Sequence, residues 1–385
     1  MNPIPQTSEA ATSASAEPIR RVPYVNFPAQ YAEEKPLIEA CVEAVFSAGD
    51  FIGGAEIGRL EEELAAACGT AHAVALNSGT DALSLAMAAL GIGRGDEVIV
   101  PPNSFVASAA TVAEVGATPV FADVGADQNI DPEAVAAAVT PRTRAIMPVH
   151  LTGRIADMDP LLEIAARHEL AVVEDAAQSM GSRYDDRKSG SLGTVGCFSA
   201  HPLKNLNAAG DAGFLVTDRS DIADWVRLAR NHGLKDRDTV VRWGRVSRLD
   251  TLQAALLRMR LGRLDDVIER RRRNVALYRA LLEGLEEVFL PPCRQIEFNT
   301  FHTLVAQVER RDALRDHLRA HGVDTAIHYP VPLHLQPAAA ELGYRRGDFP
   351  VTERQSGRIV SLPVHQFLST EDIEHVAGCI REFYR

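Results

Sequence analysis

From about Glu61 the chain alternates short apolar runs with stretches of helical periodicity, and nothing else in the sequence constrains the fold as tightly. The runs His72–Leu76, Glu97–Val100, Pro119–Phe121, Ala145–Val149, Ala171–Val173, Val195–Ser199 and Gly213–Thr217 read as strands. Periodic segments lie between them, such as Pro160–His168 and Asp81–Leu90, where Leu83, Met87 and Leu90 share one helix face. Strands separated by helices predict an α/β fold with a mostly parallel sheet wrapped by helices. Such sheets place ligands at the C-terminal ends of their strands, where loops enter helices.

After Asp250 the texture changes. A long helical segment through Leu252–Arg263 and Asp265–Leu285 is broken by Pro291-Pro292. The rest, including Thr303–Val308, Arg311–Ala320 and Thr370–Phe383, reads as a smaller α+β unit. A chain of 385 residues is too long for one simple core and fits this division. The expected organisation is a disordered tail over 1–21, with its small polar run Gln6–Glu17, and a segment over 22–60 packing on the small domain. A large domain then covers 61–255 and a small C-terminal domain covers 256–385.

Composition removes several classes of function. A net charge of −12 disfavours nonspecific nucleic-acid binding. No apolar run reaches the roughly 18 residues a membrane helix needs, and the N-terminus lacks the pattern of a signal peptide. The five cysteines (Cys41, Cys68, Cys197, Cys293, Cys379) are scattered, which argues against a disulfide framework or zinc site and for a reducing cytoplasm. Gly91-Ile-Gly-Arg-Gly95 follows a helix and precedes a strand, the reverse of a dinucleotide fingerprint, and reads as a helix stop. Arg270–Arg273 shares its helix with Asp265, Asp266 and Glu269, so an ion-paired face explains it.

The chemistry concentrates between Glu174 and Gly213. Asp175 sits just past an apolar strand, and Lys204 follows another in Cys197-Phe-Ser-Ala-His-Pro-Leu-Lys-Asn-Leu-Asn207. Pyridoxal phosphate (PLP) chemistry needs this pair: a lysine amine to condense with the cofactor aldehyde, and a carboxylate to keep the pyridine nitrogen protonated. Taken alone, each residue reads as a strand-end acid or a surface lysine unrelated to the other. Asn77-Ser-Gly-Thr-Asp81 opens a helix after a strand and offers free N–H groups to a phosphate. Gly79 permits close approach and Thr80 adds a hydroxyl; the plain alternative is a helix N-cap. Ser199 is a second hydroxyl for the same phosphate.

These segments together resemble the DegT/StrS family of nucleotide-sugar aminotransferases. The resemblance runs from about Val22 to the C-terminus. It rests on Asn77–Leu83, Gly95–Pro102, Val173–Gln178, Phe198–Asn205, Arg230–Gly233, Ser247–Ala254 and His328–Pro337, in that order. It implies the fold-type I PLP transferase architecture. It also implies roles: Lys204 as the catalytic residue and covalent anchor, Asp175 on the pyridine nitrogen, and Gln178 on the ring hydroxyl. Gly79, Thr80 and Ser199 would hold the phosphate, and Phe105 would stack on the ring. Asn231 would reach the phosphate of a neighbouring subunit in a homodimer with shared sites. For Phe105 core packing competes, and for Asn231 a helix C-cap. His328, Tyr329 and His334, in a proline-rich loop without metal spacing, would contact the sugar nucleotide.

The resemblance implies transfer of an amino group from L-glutamate to a dTDP- or UDP-linked keto-sugar, at C3 rather than C4, with no metal. A sugar dehydratase of the same family would carry histidine where Lys204 stands. A non-enzymatic regulator on this fold would not need the set Lys204, Asp175, Gln178 and Ser199. An enzyme acting on amino acids alone would not need the His328–Pro337 loop. Ala212 departs from the family, which usually has glycine there.

Overall fold

The computed structural model describes residues 20–385, so most of the tail expected over 1–21 lies outside the described residues. Two helices come first. α1 (Phe27–Ala48) is capped by Asn26, whose side chain accepts from the Ala29 N–H, and α2 (Gly54–Cys68) follows. Then the alternation begins: β1 (His72–Leu76), α3 (Gly79–Ala89), β2 (Glu97–Val100), α4 (Val106–Glu114), β3 (Thr118–Phe121), α5 (Pro132–Ala138), β4 (Thr143–Ile146), α6 (Met158–Arg167) and β5 (Ala171–Asp175). A small hairpin, β6 (Arg183–Tyr184) and β7 (Arg187–Lys188), precedes β8 (Val195–Ser199), β9 (Gly213–Thr217) and α7 (Ser220–Ala229).

Seven of these strands form one sheet in the order β1-β9-β8-β5-β4-β2-β3. Only β9 runs against the others, pairing antiparallel with both β1 and β8. The six parallel strands therefore end on one edge, and the loops leaving them converge there. Helices cover both faces, as a sheet buried on two sides requires. Val74, Leu76, Val98, Val100 and Leu215 meet α3, α4 and α7 on one face. Phe198 and Phe214 stack at 4.6 Å beneath α2 on the other. Each such side chain contributes about 1.5–3 kcal/mol by leaving water, so the edge rests on a stiff platform.

The strand expected over Ala145–Val149 is β4, two residues earlier. Pro148 has no N–H to give the ladder, and regular pairing stops before it. The chain still runs alongside β5, since Asp175 N donates to Pro148 O and His150 N to Asp175 O.

After β9 the chain enters α8 (Thr251–Leu261) and α9 (Leu264–Leu282). α9 ends short of the expected Leu285, because Gly284 takes a left-handed conformation at φ +77°. The remaining elements are β10 (Val288–Phe289), β11 (Glu297–Phe298), β12 (Leu304–Val308), α10 (Arg311–Ala320), α11 (Pro350–Ser356), β13 (Ile359–Leu362) and α12 (Thr370–Tyr384). The sheet β10-β12-β13 packs with α9, α10 and α12 around a second core containing Val275, Tyr278, Leu314, Leu318 and Val376. Of the N-terminal segment, Val22 pairs with Val323 beside this second core. α1 instead lies along α8, where Glu34 meets Arg260 at 2.7 Å.

Candidate active site

Asp175 is the last residue of β5, and its neighbour in register is Cys197 of β8. The residue is 5% exposed. One oxygen accepts from the Ser108 hydroxyl of α4 at 2.7 Å, the other from the Ala177 N–H at 3.2 Å. Burial pushes its pKa up; the bonds from Ser108 and Ala177 and the positive fields of Lys204 and His150 work against that. Lys204 lies in the loop leaving β8, its N–H donating to His201 O. Burial lowers the Lys204 amine to about 8, and the charge of Asp175 opposes the shift. The two expected partners thus face each other electrostatically. The lowering raises the fraction of free amine, the form a nucleophile needs, above that of an ordinary lysine.

The phosphate turn is built by close packing. Ser78 caps α3, accepting from the Asp81 N–H at 3.0 Å, so the N-cap reading of this turn is correct as local structure. Gly79 sits against β8: a Cβ there would stand 2.8 Å from the Ser199 Cβ. Gly213 is as tight, since its Cβ would fall 2.3 Å from the Ser78 carbonyl carbon. Gly79 is required by the neighbouring strand itself. That packing brings Thr80 and Ser199 to one α3 N-terminus. Ala212 is buried, has no left-handed φ, and its carbonyl accepts from Ala200 N at 2.8 Å, so no glycine is needed there.

Phe105 is 54% exposed at the start of α4, with Tyr329 at 5.9 Å, so it is not a core residue. Gln178 is buried; its carbonyl oxygen accepts from Thr152 N at 2.7 Å and its amide reaches the Tyr329 hydroxyl at 3.4 Å. Tyr329 is pushed well above the usual phenol range by burial and by Asp175, so it stays a neutral donor. His328 is lowered to about 4 by burial and the nearby Lys204 charge, and its Nδ1 meets Ser361 Oγ at 2.8 Å. The imidazole is neutral at physiological pH.

Two expectations need correction or restatement. His334 is 2% exposed, its Nε2 bonded to Glu353 at 3.0 Å and its ring packed on Phe349 and Phe121. It is a packing residue of its loop, and no ligand-facing surface remains to it. Asn231 is not a C-cap residue, since α7 ends at Ala229; its side chain accepts from Arg248 at 3.1 Å. The loop that follows carries Val240, Val241, Trp243 and Val246 into solvent.

Several site residues were not read from sequence. Ser108 orients Asp175 from a different helix, and no local pattern announces it. Glu174 is fully buried and accepts from Gly190 N, Leu192 N, Gly193 N and His150 Nε2, at 2.6–2.8 Å. The His150 Nδ1 accepts from Ala156 N at 3.2 Å, which leaves the proton on Nε2. The signal was present: an acid at the end of an apolar strand, one residue from Asp175 and so on the opposite face.

The residues present suit PLP. Asp175 is a buried carboxylate in need of a cation. The turn at Ser78–Thr80 has its N–H groups and hydroxyls gathered beside Ser199, and Phe105 presents an open ring. A mostly parallel sheet with a lysine in the loop after β8 and a buried aspartate at the end of β5 is the arrangement of a fold-type I aminotransferase, and the structural match places the chain in that class.

Comparison with known proteins narrows this class. The model of the DegT/DnrJ/EryC1/StrS aminotransferase family matches residues 32–381, and the chain belongs to that family. The dTDP-3-amino-3,4,6-trideoxy-alpha-D-glucose transaminase of Streptomyces venezuelae is 43% identical over 94% of this chain and 96% of its own. The erythromycin biosynthesis sensory transduction protein EryC1 of Saccharopolyspora erythraea is 42% identical, covering 94% and 99%. The crystal structure of S. venezuelae DesV superposes with a TM-score of 0.92 at 43% identity, covering 94% of this chain and 98% of that one.

Proposed function

We propose that the protein transfers an amino group from L-glutamate to C3 of a dTDP- or UDP-linked keto-sugar, using PLP held at Lys204. The observation that carries this reading is the pairing of a buried Asp175 at the end of β5 with a lysine, Lys204, in the loop leaving the neighbouring strand β8, beside the phosphate turn at the start of α3. PLP, when bound, supplies an electron sink for the bond broken at the substrate carbon. The chain's own residues do the rest. Asp175 holds the ring nitrogen's proton, and Ser108 keeps that carboxylate aimed. Lys204 anchors the cofactor and moves the proton at the reacting carbon. Thr80, Ser199 and the α3 N-terminus bind phosphate, Gln178 binds the ring hydroxyl, and Phe105 covers the ring. His328 and Tyr329, both neutral, give hydrogen bonds to the sugar nucleotide.

The C3 assignment is supported by the name of the S. venezuelae relative, a 3-amino-sugar transaminase. The regulatory name of EryC1 does not displace an enzymatic reading, since a regulator has no need of Lys204 opposite Asp175. Homodimerisation, with Asn231 serving the partner's phosphate, is supported by the exposed apolar loop after Asn231. A cytoplasmic location fits a chain with free cysteines and, among the described residues, no helix able to cross a membrane. The test offers matched 3-keto and 4-keto nucleotide sugars with glutamate and locates the new C–N bond by NMR. Amination at C3 is expected; amination at C4 alone overturns the ring position, and no amination of either overturns the substrate class.

A further inference from the structure

The last turn of α10 and the last turn of α12 bring together three metal-ligating side chains that the transamination site does not use. His317 lies in the last turn of α10 and His321, four residues on, is the residue that caps its C-terminus, with the two rings 4.2 Å apart. Glu382 comes from α12, which packs against α10. One ligand atom from each lies within 4.8 Å of the others. Among the described residues no other group of this kind occurs.

Three observations point from this cluster to a cation. The His317 Nε2 is buried and has no hydrogen-bond partner, an arrangement that ordinary packing avoids. The His321 Nδ1 stands 2.8 Å from the His317 carbonyl, which only accepts, so Nδ1 carries the proton and Nε2 keeps a free lone pair. A metal-bound histidine is oriented by just such a second bond. Finally, both helices present their C-terminal ends here, and the negative end of each helix dipole favours a positive ion. Of the neighbouring cations, Arg319 pairs with Asp316 at 2.8 Å, and Arg310 lies over the Phe383 ring at 4.2 Å, beside the cluster but held on that ring's face. The neighbouring His375 Nε2 donates to the His321 carbonyl at 2.9 Å and braces the turn.

We propose that His317, His321 and Glu382 form a site for a divalent transition-metal ion, zinc by ligand type, that staples α10 to α12 on the small unit. Two imidazoles and one carboxylate are a zinc donor set, with water completing a tetrahedron. Ligand atoms about 3.3 Å apart are needed for bonds of about 2.0–2.1 Å. The ligand atoms lie within 4.8 Å of one another, so side-chain rotation, chiefly of the exposed Glu382, would close the remaining gap on binding. The ion would act on the small unit and not in transamination, because none of the three residues belongs to the cluster around Lys204 and Asp175.

The test titrates zinc chloride into the EDTA-treated, dialysed, full-length protein with its PLP site loaded, followed by calorimetry and by thermal melting. The expected result is one zinc per chain with a rise in melting temperature. Glu382→Gln, at an exposed position, and His321→Ala should each weaken binding about tenfold or more and abolish the rise, with transamination unchanged. Zinc bound equally well by both variants would place the ion elsewhere, for instance on the exposed thiol of Cys293, and overturn the assignment. Absence of a stoichiometric zinc in the wild type would overturn it as well.

Discussion

Asp175 is almost wholly buried, and each of its oxygens has a donor from its own chain. Trp243, in the loop after Asn231, is 92% exposed, with Val240, Val241 and Val246 open beside it. The first region is built within one chain: Ser108 of α4 and the Ala177 N–H hold Asp175, and Glu174 is held by His150 and three backbone N–H groups. The second is unfinished, a patch of large apolar side chains with nothing over it. A single chain can therefore build the half of the site that tunes proton affinities. On the proposed reading, a second copy would cover the exposed loop and bring Asn231 to its neighbour's phosphate. The contrast yields predictions that separate the two regions.

The largest effect belongs to the finished region. Lys204→Ala should abolish turnover while still binding PLP noncovalently, as the phosphate turn and Asp175 remain; absorbance of the purified variant with added cofactor checks both. Asp175→Asn should follow, lowering kcat about 100-fold or more because an amide does not hold the ring nitrogen's proton. The same substitution removes the charge that opposes the Lys204 shift, so in the cofactor-free protein the amine should titrate below about 8. Burial disfavours the ammonium, so Lys204 should react faster as pH rises through about 8 in the wild type, and the midpoint should move down in Asp175→Asn. Labelling rates with an amine-reactive probe, read by mass spectrometry, measure the shift; an unchanged midpoint would separate the two residues.

The unfinished region should respond through assembly. Trp243→Asp should shift the protein from dimer to monomer in sedimentation and lose activity in parallel, with the fold intact by circular dichroism. Mixing Lys204→Ala subunits with Asn231→Ala subunits should restore activity, since one site of the mixed dimer is then undamaged; no recovery in confirmed heterodimers would count against sharing. The smallest effect is expected at His334. His334→Ala removes a buried bond to Glu353 and should cost about 1–3 kcal/mol of stability in urea unfolding. Its kcat/KM should stay within about twofold, whereas a substrate contact would lose far more.

Sequence reading reached the finished region more fully than the unfinished one, for a physical reason. Strands buried on both faces write themselves as apolar runs, so β1, β2, β8 and β9 were legible to the residue, and Lys204 and Asp175 stood out at strand ends. Ser108 was not legible, because it meets Asp175 across a long stretch of chain and looks like any small helix residue. His334 misled because a proline-rich loop is normally a surface feature, whereas this one folds its histidine inward against Phe349 and Glu353. The α10–α12 cluster was equally hidden: the histidines are close in sequence, but Glu382 reaches them only through helix packing.

The central claim is that Lys204, opposite Asp175, is the residue that holds the cofactor. Borohydride reduction of the PLP-loaded protein, followed by proteolysis and mass spectrometry, tests it most directly. One pyridoxyl group per chain is expected on the peptide containing Lys204, and none on that position in Lys204→Ala. A label on any other lysine, or no reducible cofactor in an active protein, would contradict it.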